Sequence, residues 1–153
     1  MTELKVGVVD VFVVDPRPPM RLLLVRRAEG ARCPGAWEVV HGRIESGERP
    51  EQAAVREVLE EVGLPVMRLY NVLCHPFYLH RLATVQVAVA FAAFVDAEIP
   101  IRLSAEHDRY EWLTVEQAVA RASWPRTRQG MAEVQALLSG GDAGPVEDVL
   151  RVV

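Results

Sequence analysis

Glu57, Glu60 and Glu61 stand three and four residues apart in the stretch from Gly42 to Leu64. On a helix that spacing crowds the carboxylates onto one surface, where each like-charged pair costs roughly 0.2–0.5 kcal/mol. A bound cation turns the cost into a gain. A hard divalent ion such as Mg²⁺ takes oxygen ligands and keeps its remaining positions for water and substrate phosphates, so the stretch reads as a divalent-metal and phosphate site. The alternative for any acidic run is a solvated helix face. It would leave Gly42, Glu48, Arg56 and Gly63, and their offsets, unexplained.

The element that must position these acids is punctuated at both ends. Pro50 suits a first helical turn, and Gly63 is the residue type that ends a helix in the left-handed conformation, which predicts a helix from about Pro50 to Val62. Val55, Leu59 and Val62, with Ala54 and Val58 beside them, form an apolar stripe expected to lie on a sheet. The acids then occupy the other face.

The full pattern is G-x5-E-x7-R-E-U-x-E-E-x-G-U, with Val58 and Leu64 at the aliphatic positions U. It is the Nudix box, and the chain resembles Nudix hydrolases, which cleave a nucleoside diphosphate linked to another moiety. The flanking pattern extends the likeness over roughly residues 6 to 138. The resemblance implies Mg²⁺, with Mn²⁺ as a substitute, and it implies that Glu57 and Glu61 are metal ligands. Glu60 is then a ligand or acts through a metal-bound water, Arg56 holds Glu57 by a charge-assisted hydrogen bond, and Glu48 braces the loop. The backbone carbonyl before the box, here that of His41, often joins the metal shell. Many family members carry Gly there, so the His41 side chain either touches substrate or sits at the surface. The expected reaction is in-line attack of water on a phosphorus, with positioning and charge neutralisation supplying most of the barrier lowering. Glu61 or Glu60 could serve as base, or none is needed.

The remaining sequence frames this site. The chain has 153 residues, 50% hydrophobic composition and a formal net charge of -4. Those values fit one globular domain, taken as residues 1 to 138, and argue against a nucleic-acid polymer as partner. Cys33 and Cys74 lie far apart and signal neither a zinc site nor a disulfide framework. With no signal segment and no apolar run of membrane-spanning length, a cytoplasmic protein without membrane contact is expected.

Residues 5 to 14 and 21 to 25 read as buried strands, the first interrupted by Asp10. Arg26 and Arg27 follow the second, where one could reach a substrate phosphate. Residues 37 to 40 read as one short strand delivering the box, with Trp37 in the core. Residues 66 to 78 read as a strand broken near His75-Pro76, followed by a turn in which Tyr78, His80 and Arg81 could line a substrate cleft. Residues 84 to 95 alternate as a half-buried strand, and residues 110 to 113 form the last one. Thr114 then caps a helix over residues 115 to 122. A final helix after Trp124-Pro125 carries Met131, Val134, Leu137 and Leu138 at helical spacing. Residues 139 to 153 form a linker-like segment and a short apolar tail, which either docks on its own domain or marks a homodimer contact.

In several Nudix subfamilies Glu-His precedes an aromatic-rich strand, as Glu106-His107 does here, and Glu106 is by that likeness an extra metal carboxylate. Together with Trp124-Pro125-x-x-Arg128, these residues resemble bacterial dihydroneopterin triphosphate and dATP pyrophosphohydrolases. The implied fold is an α/β/α sandwich around a mixed β-sheet. The implied substrate is a small nucleoside or pterin triphosphate, cleaved with release of pyrophosphate. A dinucleoside polyphosphate, an ADP-ribose-type substrate and a non-catalytic nucleotide-binding scaffold are the alternatives.

Overall fold

The Val-rich run near the N-terminus becomes β1 (Glu3–Asp15), the strand on which the whole sheet is built. The computed structural model describes residues Met1 to Val153. β1 lies parallel to β6 (Thr84–Phe94), and β6 pairs antiparallel with β5 (Arg68–Leu79). On its other side β1 is shared. Its last residues pair with β2 (Arg21–Arg27), as Val14 with Leu22, while Val8 to Val11 pair with β4 (Val40–Arg43). β2 in turn pairs with β7 (His107–Thr114) and with the two-residue β3 (Trp37–Glu38). The sheet therefore forks beside β1, and the fork is where the site forms.

Alternation along β1 sorts the core into two halves. Val9, Val11 and Val13 face helix α1 (Pro50–Val62) through Ala53, Ala54, Val58 and Val62. Phe12 and Val14 face α2 (Val115–Arg121) and α3 (Pro125–Leu138) through Ala118, Met131, Val134 and Leu138. Helices on both faces of a mixed sheet make this an α/β/α sandwich. Thr114 caps α2 through a reciprocal pair with Gln117. No helix is long and apolar enough to cross a membrane.

Gly130 marks the closest approach of α3 to the sheet, because a Cβ added there would lie 2.3 Å from Phe12 Cζ. Gly130→Ala is expected to lower stability by about 2–3 kcal/mol through overpacking. Thermal unfolding followed by circular dichroism checks this, and an unchanged Tm would contradict the close contact.

Three sequence expectations are corrected. Residues 37 to 40 are not one strand: the chain leaves β2 after Glu38 and joins β1 at Val40, crossing the fork at Val39. β5 is not broken at His75-Pro76, because its outer edge has no partner strand there and Pro76 removes no ladder bond; its irregularity lies between Asn71 and Leu73. Tyr78 accordingly ends that strand, and only residues 80 to 82 form a 3-10 turn. Leu59 is exposed, so the buried stripe of α1 is centred on Ala54, Val58 and Val62 and includes Glu61 at its edge.

The tail docks on its own domain. A 3-10 turn (Gly144–Val146) and a single turn of helix, α4 (Glu147–Leu150), bring Val152 N–H to the Leu69 carbonyl at 2.8 Å. Tyr70 donates its hydroxyl to Glu147 at 3.0 Å.

Candidate active site

The loop and helix hold their shape through Arg56. Its guanidinium donates to Glu48 at 2.8 and 2.9 Å, to Glu57 at 2.8 Å, to Glu60 at 3.2 Å and to the Arg43 carbonyl at 2.8 Å. One cation thus fastens the box loop to its helix. Glu48 also accepts the Glu45 backbone N–H at 3.0 Å, closing the loop on itself. Gly63, at φ 74°, ends α1 in the left-handed region with its N–H on the Leu59 carbonyl. Gly42 is pressed against the other end of the site: a Cβ there would fall 2.1 Å from Glu57 Cδ.

Of the three clustered glutamates on α1, Glu60 is exposed and Glu57 half-buried, while Glu61 is buried. Burial first, then the charges of Glu57, Glu106 and Glu38, push the Glu61 carboxyl up to about 9, opposed by a hydrogen bond from the His41 backbone N–H. Its Oε2 is buried without a partner. Glu57 is also raised, by burial, with Arg56 opposing and Glu60 and Glu106 adding to the rise. Glu106 is carried to this place by its flanks. The Ser104 N–H donates to the Glu61 carbonyl at 3.1 Å, and the Ala28 N–H donates to the Glu106 carbonyl at 2.9 Å.

These residues fit a divalent cation. An orphaned buried oxygen and crowded carboxylates that resist ionisation are what such an ion relieves. No three acidic or histidine side chains converge into a closed ligand set.

Glu38 and Asp10 carry roles at the fork that local sequence reasoning passed over. Glu38, 6% exposed, accepts from His107 Nε2 at 3.0 Å, Arg27 Nη1 at 3.1 Å and Trp124 Nε1 at 3.3 Å. It ties β2, β3, β7 and α3 together beside Glu61. Burial alone would raise its carboxyl, but the His107 hydrogen bond, the Arg27 charge and Trp124 bring it below the usual range. Asp10, 2% exposed, accepts from His41 Nδ1 at 2.7 Å and from Arg126 Nε at 2.8 Å. Burial opposes ionisation there too, yet His41 and Arg126 hold Asp10 down at about 2. The legible signal was a charge inside the Val-rich run of β1, which burial obliges to find partners.

The two arginines expected to reach a phosphate are engaged elsewhere. Arg26 forms a two-point pair with Asp108 at 2.8 and 3.0 Å, on the far side of the strand pair from the acids. Arg27 is committed to Glu38 and to the Arg32 carbonyl. Tyr78 stays exposed and lines, with Arg32 and residues 79 to 82, an open cleft of about 90 Å³.

Crowded carboxylates lie over the forked sheet of an α/β/α sandwich. The Nudix domain family matches residues 4–134, and the chain belongs to that family. It is 38% identical over 131 residues to an octanoyltransferase of Myxococcus xanthus, covering 84% of this chain and 36% of that protein. It thus spans about a third of that relative's length. It is also 27% identical over 119 residues to the asymmetrical bis(5'-nucleosyl)-tetraphosphatase of Rattus norvegicus, covering 74% of this chain and 78% of the relative. The solved Escherichia coli dihydroneopterin triphosphate pyrophosphohydrolase superposes with a TM-score of 0.70 at 26% identity, covering 87% of this chain and 97% of that one.

Proposed function

We propose that the chain hydrolyses a phosphoanhydride bond of a nucleoside triphosphate or a pterin triphosphate such as dihydroneopterin triphosphate, releasing pyrophosphate with Mg²⁺ or Mn²⁺. The observation that carries the reading is Glu61, a buried carboxyl with a bare oxygen among Glu57, Glu106 and Glu38. Glu57, Glu61 and the His41 carbonyl would hold the ion, with Glu60 and Glu106 facing the phosphates. Such an ion would supply neutralisation of phosphate charge and a more acidic water. Arg56 fixes the Glu57 carboxylate, the His41 N–H orients that of Glu61, and the Glu38 hub keeps the Glu106 loop against both. Glu106-His107, the Trp124-Pro125-x-x-Arg128 run and the likeness to the pterin triphosphate enzyme favour a triphosphate.

The likeness to the tetraphosphatase supports a second reading, cleavage of a dinucleoside polyphosphate. The two separate by product. The panel is nucleoside triphosphates, dihydroneopterin triphosphate, diadenosine polyphosphates and ADP-ribose, each with Mg²⁺ and with EDTA. Pyrophosphate from a triphosphate, lost in EDTA, is expected; nucleoside monophosphate plus triphosphate from diadenosine tetraphosphate would favour the second reading. Silence across the panel with the cation still bound would overturn both.

Metal binding should also release a proton, because Glu61 keeps its proton until about pH 9 when no ion is present. Mg²⁺ affinity is expected to rise between pH 6 and 9, with protons released in calorimetry repeated in buffers of different ionisation enthalpy. A pH-independent affinity would contradict the assignment of Glu61.

A further inference from the structure

Strand alternation separates two neighbours in the box approach. Gly42 faces Glu57 on the α1 side, whereas the ring of His41 leaves β4 on the α3 side and meets Asp10, its partner across the strands. Asp10 is also bound by Arg126 at 2.8 and 3.3 Å, and that guanidinium lies 4.1 Å from the centre of the Phe77 ring. An ionised carboxylate only accepts, so His41 Nδ1 carries the hydrogen and Nε2 is the ring nitrogen left free to face a ligand. The side chain is 35% exposed and its Nε2 makes no hydrogen bond within the protein.

The same face carries more bare polar atoms. His75 stands opposite Ala88, and Phe77 opposite Gln86, in the register that sets Ala90 beside Asp10 and Ala88 beside Val8. His75 Nε2 and Gln86 Oε1 are both buried without partners. A patch with orphaned polar atoms on the face that His41 and Asp10 share calls for a ligand that brings hydrogen-bonding groups.

We propose that His41, fixed by Asp10 and Arg126, determines specificity by presenting Nε2 as an acceptor to an N–H or O–H donor on the non-phosphate part of the substrate. Phosphate oxygens carry no hydrogen, so the partner belongs to the base or the sugar. The inference rests on the proposed nucleotide or pterin triphosphate hydrolysis. Asp10 and Arg126 are positioning residues: they set the tautomer and the ring angle without touching substrate.

The test compares kcat and KM for substrate pairs differing by one donor. ATP against purine riboside triphosphate and GTP against ITP remove an amine; ATP against its 2'-deoxy and 3'-deoxy forms removes a hydroxyl. The wild type is expected to prefer one donor-bearing member by about tenfold or more. In His41→Phe that preference should collapse toward unity, mostly through KM, and His41→Gln, which keeps an acceptor, should recover part of it. Asp10→Asn should weaken the preference while circular dichroism reports a native fold. Preference retained in His41→Phe would overturn the proposal, as would equal loss on every substrate.

A second readout does not need turnover. The ¹⁵N resonance of His41 Nε2 should begin as an unprotonated nitrogen and move upfield when an α,β-methylene triphosphate binds with Mg²⁺. Binding that shifts the amides around Glu61 but leaves Nε2 in place sinks the His41 inference alone. No binding and no turnover with any nucleotide or pterin substrate sinks the proposed function, and this inference with it.

Discussion

Glu61→Gln is expected to abolish turnover, by a factor on the order of 10³ or more, and at the same time to raise the melting temperature of the metal-free protein. The activity loss follows from removing the buried carboxylate on which the proposed ion site centres. The stability gain follows from proton linkage. The folded chain holds the Glu61 proton up to about pH 9, against 4.5 for the ordinary group. Between those values the unfolded chain binds fewer protons than the folded one, so stability falls as pH rises through the window. Glutamine removes this penalty, which is about 2–3 kcal/mol at pH 7 after allowance for coupling to Glu57 and Glu106. The corresponding shift is roughly 5 to 10 °C in Tm, measured by calorimetry in EDTA. A variant that melts lower than wild type in EDTA, or that still turns over, would contradict the account. Added Mg²⁺ should stabilise the wild type and leave the variant nearly unmoved.

Gly42→Ala should cost activity on the order of 10²-fold with little loss of fold. The added Cβ would lie 2.1, 2.3 and 2.5 Å from Glu57 Cδ, Oε1 and Cγ, so the carboxylate must leave its place. Glu57 is a long side chain near the surface and can swing aside, which keeps the backbone intact. It cannot do so and still meet both Arg56 and the ion. Weakened Mg²⁺ affinity with Tm within about 2–3 °C of wild type is the expected pairing. Unchanged affinity would show that Glu57 is not held where the structure has it.

The helix of the box was legible because its ends are written in residues with few conformations: Pro50 opens it and Gly63 closes it, within the bounds the structure shows. The strand β6 was legible from its alternation, but not as a half-buried one: Ala88, Ala90 and Ala92 are buried on one face and Phe91 and Ala93 on the other, while Val85, Val87 and Val89 are only partly buried. Glu57, Glu60, Glu61 and Arg56 come together because a helix brings residues three and four apart into reach. The fork was not legible. Whether residues 37 to 40 make one strand or two depends on which neighbours they pair with, and those lie in β2 and β1. Arg126 and Asp10 are 116 residues apart, and His107 and Glu38 are 69 apart. No local period encodes such pairs. Leu59 was misassigned because a stripe of five apolar residues is wider than the face α1 buries.

The docked tail changes what the sheet offers to other chains. β5 is an outer strand, and outer strands present unpaired amides and carbonyls that recruit further strands. At Leu69 those groups are already taken by Val152 and Val153. A second molecule could add a strand there only by peeling this segment away, so strand addition at that end competes with an intramolecular contact whose effective concentration is high. The tail thus occupies the one stretch of the β5 edge it reaches, and strands from other chains meet residues 151 to 153 there first.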